Sequence, residues 1–286
     1  MSTRLKIAIQ KSGRLQSDSL QILKECGISI DNGKDQLKAL AENFPMEVLY
    51  LRNSDIPQYV QDGVADLAIV GENVIVEKQK KVKILQQLGF SKCRLTMAIP
   101  KDEEYTGLEY FRGKKIATSY PNSLQEFLDA NKLDSEIHII SGSVEIAPNI
   151  GLSDGICDLV SSGSTLFKNG LKEVQELLSS QACLVCNETI SEDKQALVDQ
   201  LLFRMRAVLA AKNNKYVLLN APNDKIEAIN QILPGMKSPT VMPLVKEGWS
   251  SIHTVINEND FWTVIDQLKA KGAEGILTIP IGKMIL

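Results

Sequence analysis

Histidine is scarce in this sequence: His138 and His253 are the only two among 286 residues, which leaves His-based triads and His-rich metal sites poorly supplied. Cysteine offers little more. The five cysteines (Cys26, Cys93, Cys157, Cys183, Cys186) are odd in number, scattered and mostly set in apolar runs, which speaks against a disulfide framework and for reduced thiols. Cys183-Leu184-Val185-Cys186 has C-x-x-C spacing but no second pair to complete a zinc site, so it reads as two buried strand cysteines. No segment approaches the roughly 18 continuous apolar residues of a membrane span. The opening Met1-Ser2-Thr3-Arg4-Leu5-Lys6-Ile7-Ala8-Ile9 enters a short apolar strand without an export-signal region, and a cytoplasmic location away from membranes is expected. A formal charge of −3 gives no broad footprint for nucleic acid, so an anionic ligand has to be held by local groups.

What is present is ample core: 44% hydrophobic and 23% charged residues over a length that exceeds one ordinary domain. Up to about residue 190, short β-branched runs (Ile7–Ile9, Val48–Leu51, Leu67–Val70, Leu95–Ile99, Lys115–Thr118, Ile137–Ile140, Leu159–Val160) alternate with amphipathic stretches, which predicts α/β architecture with largely parallel sheets. Four of these strands end in polar turns: Gln10-Lys11-Ser12-Gly13-Arg14, Gly71-Glu72-Asn73, Ser119-Tyr120-Pro121-Asn122 and Ser161-Ser162-Gly163-Ser164-Thr165. Ligands of open α/β sheets gather at the carboxyl ends of strands, so the four turns are expected to share a cleft. The proline-led Pro100-Lys101-Asp102-Glu103-Glu104 suits either a crossing between two lobes or a surface loop within one.

Ala196 to Ala211 carries Leu197, Leu201, Met205, Val208 and Leu209 at helical spacing and reads as a connecting helix. Beyond it the order is strand Tyr216–Leu219, helix Asp224–Leu233, strand Thr240–Leu244, strand Ser251–Ile256, helix Asp260–Ala270 and strand Gly275–Ile279. That is βαββαβ, the ferredoxin-like order, with Asn223 and Asn259 at expected N-caps and Gly272 at a C-cap.

Asp158-Leu159-Val160-Ser161-Ser162-Gly163-Ser164-Thr165-Leu166 is the strongest local motif. A glycine turn exposes backbone N–H groups, hydroxyls add donors, and a helix starting near Ser164 points its positive end outward, all of which suits a phosphate. An ordinary junction capped by Ser164 or Thr165 uses the same residues. It is not a P-loop, because the G-x-x-x-x-G-K-[ST] spacing is missing. Lys11 and Arg14, a point charge and a planar fork, suit a polyphosphate or a departing diphosphate, or else form a solvated turn. Glu72 and Asn73 can accept from ribose or adenine groups or cap a helix, and Glu145 in Gly142-Ser143-Val144-Glu145 can meet ribose hydroxyls, assist magnesium through water or start a helix.

Taken in order, residues 3–15, 66–73, 117–121, 142–145 and 157–166, together with Ser238-Pro239-Thr240, resemble the successive motifs of the ATP phosphoribosyltransferase family in its long form, essentially end to end. The resemblance implies an α/β fold with a two-lobed, periplasmic-binding-protein-like catalytic region. Residues 1–99 and 173–190 would form lobe I, 100–172 lobe II, 191–211 a connecting helix, and 212–286 an ACT-like, ferredoxin-like domain binding histidine as feedback inhibitor. It further implies that Asp158 and Ser161, Ser162, Gly163, Ser164 and Thr165 hold the phosphate and ribose of phosphoribosyl pyrophosphate, with Glu145 near the ribose. Lys11, Gly13, Arg14, Glu72, Asn73 and Tyr120 would surround ATP or the diphosphate, and Lys11 and Arg14 would stabilise leaving-group charge. Thr240 matches the family's histidine-contacting threonine, with Ser238 beside it and Asn220 at a position that is acidic in some relatives. Magnesium would accompany the diphosphate, with no direct ligand assigned, and homodimers would assemble into hexamers. A solute-binding protein and a salvage phosphoribosyltransferase are the competing classes. The usual salvage loop places two adjacent acids before its hydroxyl-glycine turn, whereas Leu159-Val160 intervenes here.

Overall fold

The computed structural model describes residues 3–31, 36–233, 235 and 238–285. Met1 and Ser2 of the opening segment lie outside the described residues. The chain divides into two compact units, residues 1–199 and 200–286.

The first unit holds two sheets. Strands β1 (Leu5–Gln10), β2 (Lys38–Leu40), β3 (Met46–Leu51), β4 (Leu67–Gly71) and β5 (Lys83–Gln87), with helices α1 (Arg14–Glu25), α2 (Ile56–Gln61) and α3 (Glu72–Lys78), make most of the first lobe. Strands β6 (Cys93–Pro100), β7 (Lys115–Thr118), β8 (Glu136–Ile139), β9 (Gly155–Val160) and β10 (Leu171–Ser180), with α4 (Pro121–Ala130) and α5 (Ser164–Lys168), make the second. Strand β11 (Ala182–Cys186) then returns to the first sheet, whose order is β2-β3-β1-β4-β11-β5; the second runs β10-β6-β9-β7-β8. Two lobes joined by two crossings are the plan expected of a periplasmic-binding-protein-like region.

Two expectations need correction. The sheets are mixed, not largely parallel: β3, β1 and β4 run parallel, as do β9, β7 and β8, but β2, β11, β5, β6 and β10 pair antiparallel with their neighbours. The crossing does not fall at Pro100 or Glu173. Strands β6 and β10 pair with each other in the second sheet, so the chain crosses at residues 88–92 and again at Gln181. The crossings are tied by Leu88 N–H to the Ala182 carbonyl (2.9 Å) and Ala182 N–H to the Phe90 carbonyl (3.0 Å). The stretch after Pro100 is a loop within the second lobe, fastened by Lys101 N–H to the Gly170 carbonyl at 2.8 Å.

Apolar residues on alternate strand positions explain the cores. Ala8, Ala68, Val70, Cys183 and Val185 pack with Ile56 and Val60 in the first lobe, and Leu95, Met97, Ile116 and Cys157 with Phe111, Leu124 and Leu128 in the second. All five cysteines are free thiols, and Cys183 and Cys186 lie buried in β11.

Helix α6 (Glu192–Lys212) runs through the boundary between the units, so its second half belongs with the C-terminal one. Its buried positions are Val198, Leu201, Leu202, Met205, Ala207, Val208 and Ala211, a stripe that starts at Val198, while Leu197 and Leu209, expected in it, are half-buried. The C-terminal unit continues with β12 (Asn214–Pro222), α7 (Ile226–Ile232), β13 (Thr240–Pro243), β14 (Trp249–Asn257), α8 (Glu258–Ala270) and β15 (Glu274–Pro280), in sheet order β13-β14-β12-β15. This is the ferredoxin-like topology. Val217, Leu219, Ile252 and Ile256 bury one sheet face together with Ile229, Phe261 and Leu268 of the helices. The N-cap of α8 is Asn257, whose side chain accepts from Asn259 N–H at 3.0 Å, so the cap sits two residues before the one expected. Asn223 opens a 3-10 turn and accepts from Ser250 Oγ at 2.7 Å. Among the described residues no helix is long and apolar enough to cross a membrane.

Candidate active site

Strand β9 ends at Val160 and the chain turns sharply into α5 through Ser161-Ser162-Gly163. Gly163 makes the turn possible: its φ of +76° is left-handed, and an added Cβ would stand 3.0 Å from Glu173 Oε1. The loop and the end of β9 close a pocket lined by Glu145, Asp158, Ser161, Ser162, Gly163, Ser164 and Thr165. Hydroxyls dominate it, with Ser162 Oγ 3.1 Å from Ser164 Oγ. The first amide of α5, Ser164 N–H, donates only a long bond of 3.5 Å to Ser162 Oγ, and first-turn amides lack intrahelical acceptors.

Two residues unmarked in the sequence support this loop. Arg94, on β6, grips Glu173, on β10, with Nε donating to Oε2 at 2.7 Å and Nη2 to Oε1 at 2.5 Å. Arg94 Nη1 also donates to the Ser161 carbonyl at 3.4 Å. A cation and a carboxylate 79 positions apart leave no local signal; only the β6–β10 pairing brings them together.

Asp158 is half-buried beneath the loop. Burial lifts its carboxyl to about 6, the Leu159 N–H at 2.8 Å opposes that shift, and nearby Glu145 adds to it. Tyr120, at the N-cap of α4, is drawn to the same place by the backbone: its N–H donates to Thr118 Oγ1 at 2.9 Å, and Thr118 Oγ1 donates to the Cys157 carbonyl at 2.6 Å. Burial first, and then the Asp158 charge, hold the Tyr120 phenol protonated far above its ordinary range. Two of the four turns are therefore joined in the second lobe.

The other two sit in the first lobe at the carboxyl ends of β1 and β4, which are parallel neighbours. Lys11 N–H is fixed to the Leu51 carbonyl at 2.7 Å, and Gly13 (φ +95°) precedes α1. The Arg14 side chain is 82% exposed with a 3.8 Å ion pair to Asp18, so it is free to swing toward a ligand. Glu72 starts α3 and accepts from Gln87 Nε2 at 2.7 Å. Asn73 is different. It is buried, its N–H donates to Ser180 Oγ at 3.0 Å, and Ser180 Oγ donates back to its Oδ1 at 2.9 Å. Asn73 thus fastens α3 to the end of β10 at the second crossing. Asn122, singled out with the third turn, likewise faces inward to Glu77.

In the C-terminal unit Thr240 lies opposite His253, and Asn220 opposite Ser251, on the sheet face turned away from the helices. Between them His253 bridges Tyr216 OH (2.9 Å to Nδ1) and Ser251 Oγ (3.1 Å to Nε2). Thr240 and Ser238 are exposed.

Fold and pocket define a class: a two-lobed α/β protein whose donor-lined loop suits the oxygens of an anionic ligand, extended by a ferredoxin-like domain. Comparison narrows the class. The ATP phosphoribosyltransferase family profile matches residues 52–207, and that of the HisG C-terminal domain matches 211–283. ATP phosphoribosyltransferases of Cytophaga hutchinsonii and Phocaeicola vulgatus are 55% and 56% identical, covering 100% and 99% of this chain and 100% of each relative. A solved ATP phosphoribosyl transferase (HisG:HisZ) complex from Thermotoga maritima aligns at a TM-score of 0.64 and 29% identity, over 72% of this chain and 98% of that one. The chain belongs to the ATP phosphoribosyltransferase family, transferases of the first step of histidine biosynthesis.

Proposed function

We propose that the chain transfers the phosphoribosyl group of phosphoribosyl pyrophosphate to N1 of ATP, giving 1-(5-phosphoribosyl)-ATP and diphosphate. The observation that carries this reading is the pocket joining Glu145, Asp158 and residues 161–165. Loop hydroxyls and amides hold the 5-phosphate, while the two carboxylates accept from ribose hydroxyls. The N1 lone pair attacks C1′, the C1′–O bond to the diphosphate breaks with inversion, and its electron pair leaves on the diphosphate oxygen. N1 carries no proton, so attack needs no strong base. Alignment of the two substrates and neutralisation of the departing charge dominate the rate. Lys11 and Arg14 supply the charge from the first lobe, and Gly13, Glu72, Asn73 and Tyr120 border ATP.

Magnesium enters as part of the diphosphate substrate. Among the described residues no three His, Cys, Asp or Glu side chains gather as a resident metal site. Magnesium keeps most of its shell from water and phosphate oxygens, with one or two carboxylates at most.

Histidine, in this reading, binds the C-terminal sheet at Asn220, Ser238 and Thr240 and inhibits by preferring a less active assembly of dimers joined into hexamers. Inhibition requires that difference in affinity, not binding alone. The test combines purified chain, magnesium, ATP and phosphoribosyl pyrophosphate, removes diphosphate continuously and identifies the product by mass with and without histidine. Product suppressed by histidine supports both assignments. Unsuppressed product removes the role of the last domain, and no product from folded protein removes the reaction.

A further inference from the structure

Helix α3 belongs to the first lobe, yet both of its ends are held by the second. At its start Asn73 is clasped by Ser180. Near its end stands Glu77, a carboxylate only 5% exposed, which no step of the proposed reaction uses. Its acceptors are filled from the first turn of α4: Asn122 N–H donates to Oε1 at 3.1 Å, and Ser123 N–H and Oγ donate to Oε2 at 2.9 and 2.7 Å. The Glu77 carbonyl accepts from Asn122 Nδ2 at 2.8 Å. A helix start ordinarily takes its cap from its own chain just upstream, as α8 takes Asn257. Here the capping carboxylate comes from 45 positions away, in the other lobe.

What this cap fixes is the residue immediately before it. Tyr120 is the N-cap residue of α4, and no capping hydrogen bond from its own side chain accompanies it. Its backbone runs through Thr118 to the carbonyl of Cys157, next to Asp158. The amides gripped by Glu77 therefore follow directly on Tyr120, which packs against the core cluster that includes Cys157 and whose phenol is close enough to feel the Asp158 charge. Charge-assisted bonds to backbone amides are about twice as strong as neutral ones and are directional, so this grip sets where the turn stands.

We propose that Glu77 is a positioning residue for the reaction, a cap supplied by the first lobe that holds Tyr120 against Asp158 in the second. The inference rests on the reaction assigned above. It makes α3 the part that carries the placement of the first lobe, which holds Glu72, to the phosphoribosyl side.

The experiment uses the full chain as wild type, Glu77→Gln, Tyr120→Phe and the double variant, with fold checked by circular dichroism. Glu77→Gln keeps the shape but turns an amide N–H toward donors. It is expected to lower kcat/KM for phosphoribosyl pyrophosphate roughly tenfold and to weaken its calorimetric Kd in the same direction, as loss of a charged hydrogen-bond acceptor would. In the Tyr120→Phe background the same change is expected to cost less than about twofold, because two residues acting as one unit are not additive. Equal losses in both backgrounds, or a lower melting temperature with kcat/KM and Kd unmoved, would make Glu77 a stability residue and overturn the proposal. Ser123→Ala removes one donor and leaves both backbone bonds. It covers the case in which Glu77→Gln does not fold, and it must show a loss of about two- to threefold that likewise disappears with Tyr120→Phe. A wild type that binds phosphoribosyl pyrophosphate without forming product would refute the assigned reaction, and the cycle read on Kd would still decide the role of Glu77.

Discussion

Replacing Gly163 by alanine tests the phosphate loop at the point where backbone and side chain constraints meet. Two costs can be worked out. A φ of +76° places a Cβ in the left-handed region, at about 1–2 kcal/mol for a residue other than glycine or asparagine. The added methyl would also stand 3.0 Å from Glu173 Oε1, and that oxygen is not free to retreat, because Arg94 Nη2 holds it at 2.5 Å. Displacing a part-buried ion pair adds roughly 1 kcal/mol, for a total of about 2–3 kcal/mol. If the loop keeps its shape, the whole cost falls on folding, and the melting temperature of the first unit drops by roughly 2–4 °C per kcal/mol. If the loop relaxes, its amides turn away from the ligand, and KM for phosphoribosyl pyrophosphate rises by an order of magnitude or more. Calorimetry and steady-state kinetics on the same preparation apportion the two. The added variant Glu173→Ala separates the causes: Gly163→Ala should cost less in that background, by the steric share alone. A Gly163→Ala protein with unchanged melting temperature and unchanged KM would refute this account of the loop.

Further expectations follow from other sites. Asp66 accepts Lys194 Nζ at 2.8 and 3.0 Å and Lys6 N–H at 2.8 Å, so Asp66→Ala leaves two donors stranded and should cost about 2–4 kcal/mol in urea unfolding. Adding Lys194→Met should restore part of it, and no recovery would mean the loss is not electrostatic. Asp158, raised to about 6 by burial, is protonated below that pH, loses its charge and keeps only the weaker acceptor capacity of a neutral acid. The kcat/KM for phosphoribosyl pyrophosphate should therefore fall as pH drops through about 6, and the limb should vanish in Asp158→Asn; a limb that persists belongs to another group. Thr240→Ala should raise the half-inhibitory histidine concentration about tenfold, and Asn220→Asp, by offering a charge to the ligand's ammonium, should lower it by a similar factor. Unchanged inhibition in both would move the histidine site elsewhere.

The residues that the sequence exposed best are those whose signal is local. Residues 158–166 combine a strand ending, a glycine that must turn and hydroxyls beside it, all within nine positions, and they do line one pocket. The ferredoxin-like order was equally legible, since Val217, Leu219, Ile252 and Ile256 alternate on one buried face. Strand β10 was not. Its pairing with β6 is broken by register shifts at Glu173/Gln175 and Glu176/Leu178, which destroy the alternation that marks a strand. With β10 unread, the crossing was drawn to the proline at position 100, and Glu173 was given to the wrong lobe. Asn73 and Asn122 show what else was not legible: each stands at a polar turn after a strand, and their partners Ser180 and Glu77, distant in sequence, draw hydrogen-bonding groups of both inward.

These inward bonds bear on how a chain of net charge −3 holds two polyanions. The pocket proposed for the phosphoribosyl group contains two carboxylates and neutral donors, and no lysine or arginine lines it. Burial, with nearby Glu145 adding to it, raises the cost of the Asp158 charge there, a cost that hydroxyl donors of a ribose would offset but a bare phosphate would increase. The pocket therefore discriminates: inorganic phosphate should bind it more weakly than a ribose phosphate, and on the proposed reading the positive charge for the diphosphate comes from Lys11 and Arg14 in the other lobe. A site divided in this way works only while the two lobes keep a fixed relation. Binding energy from the loop then becomes useful at C1′ through the rigidity of α3 and its caps, because misplacement of an attacking group by about 1 Å is enough to lose two orders of magnitude in rate.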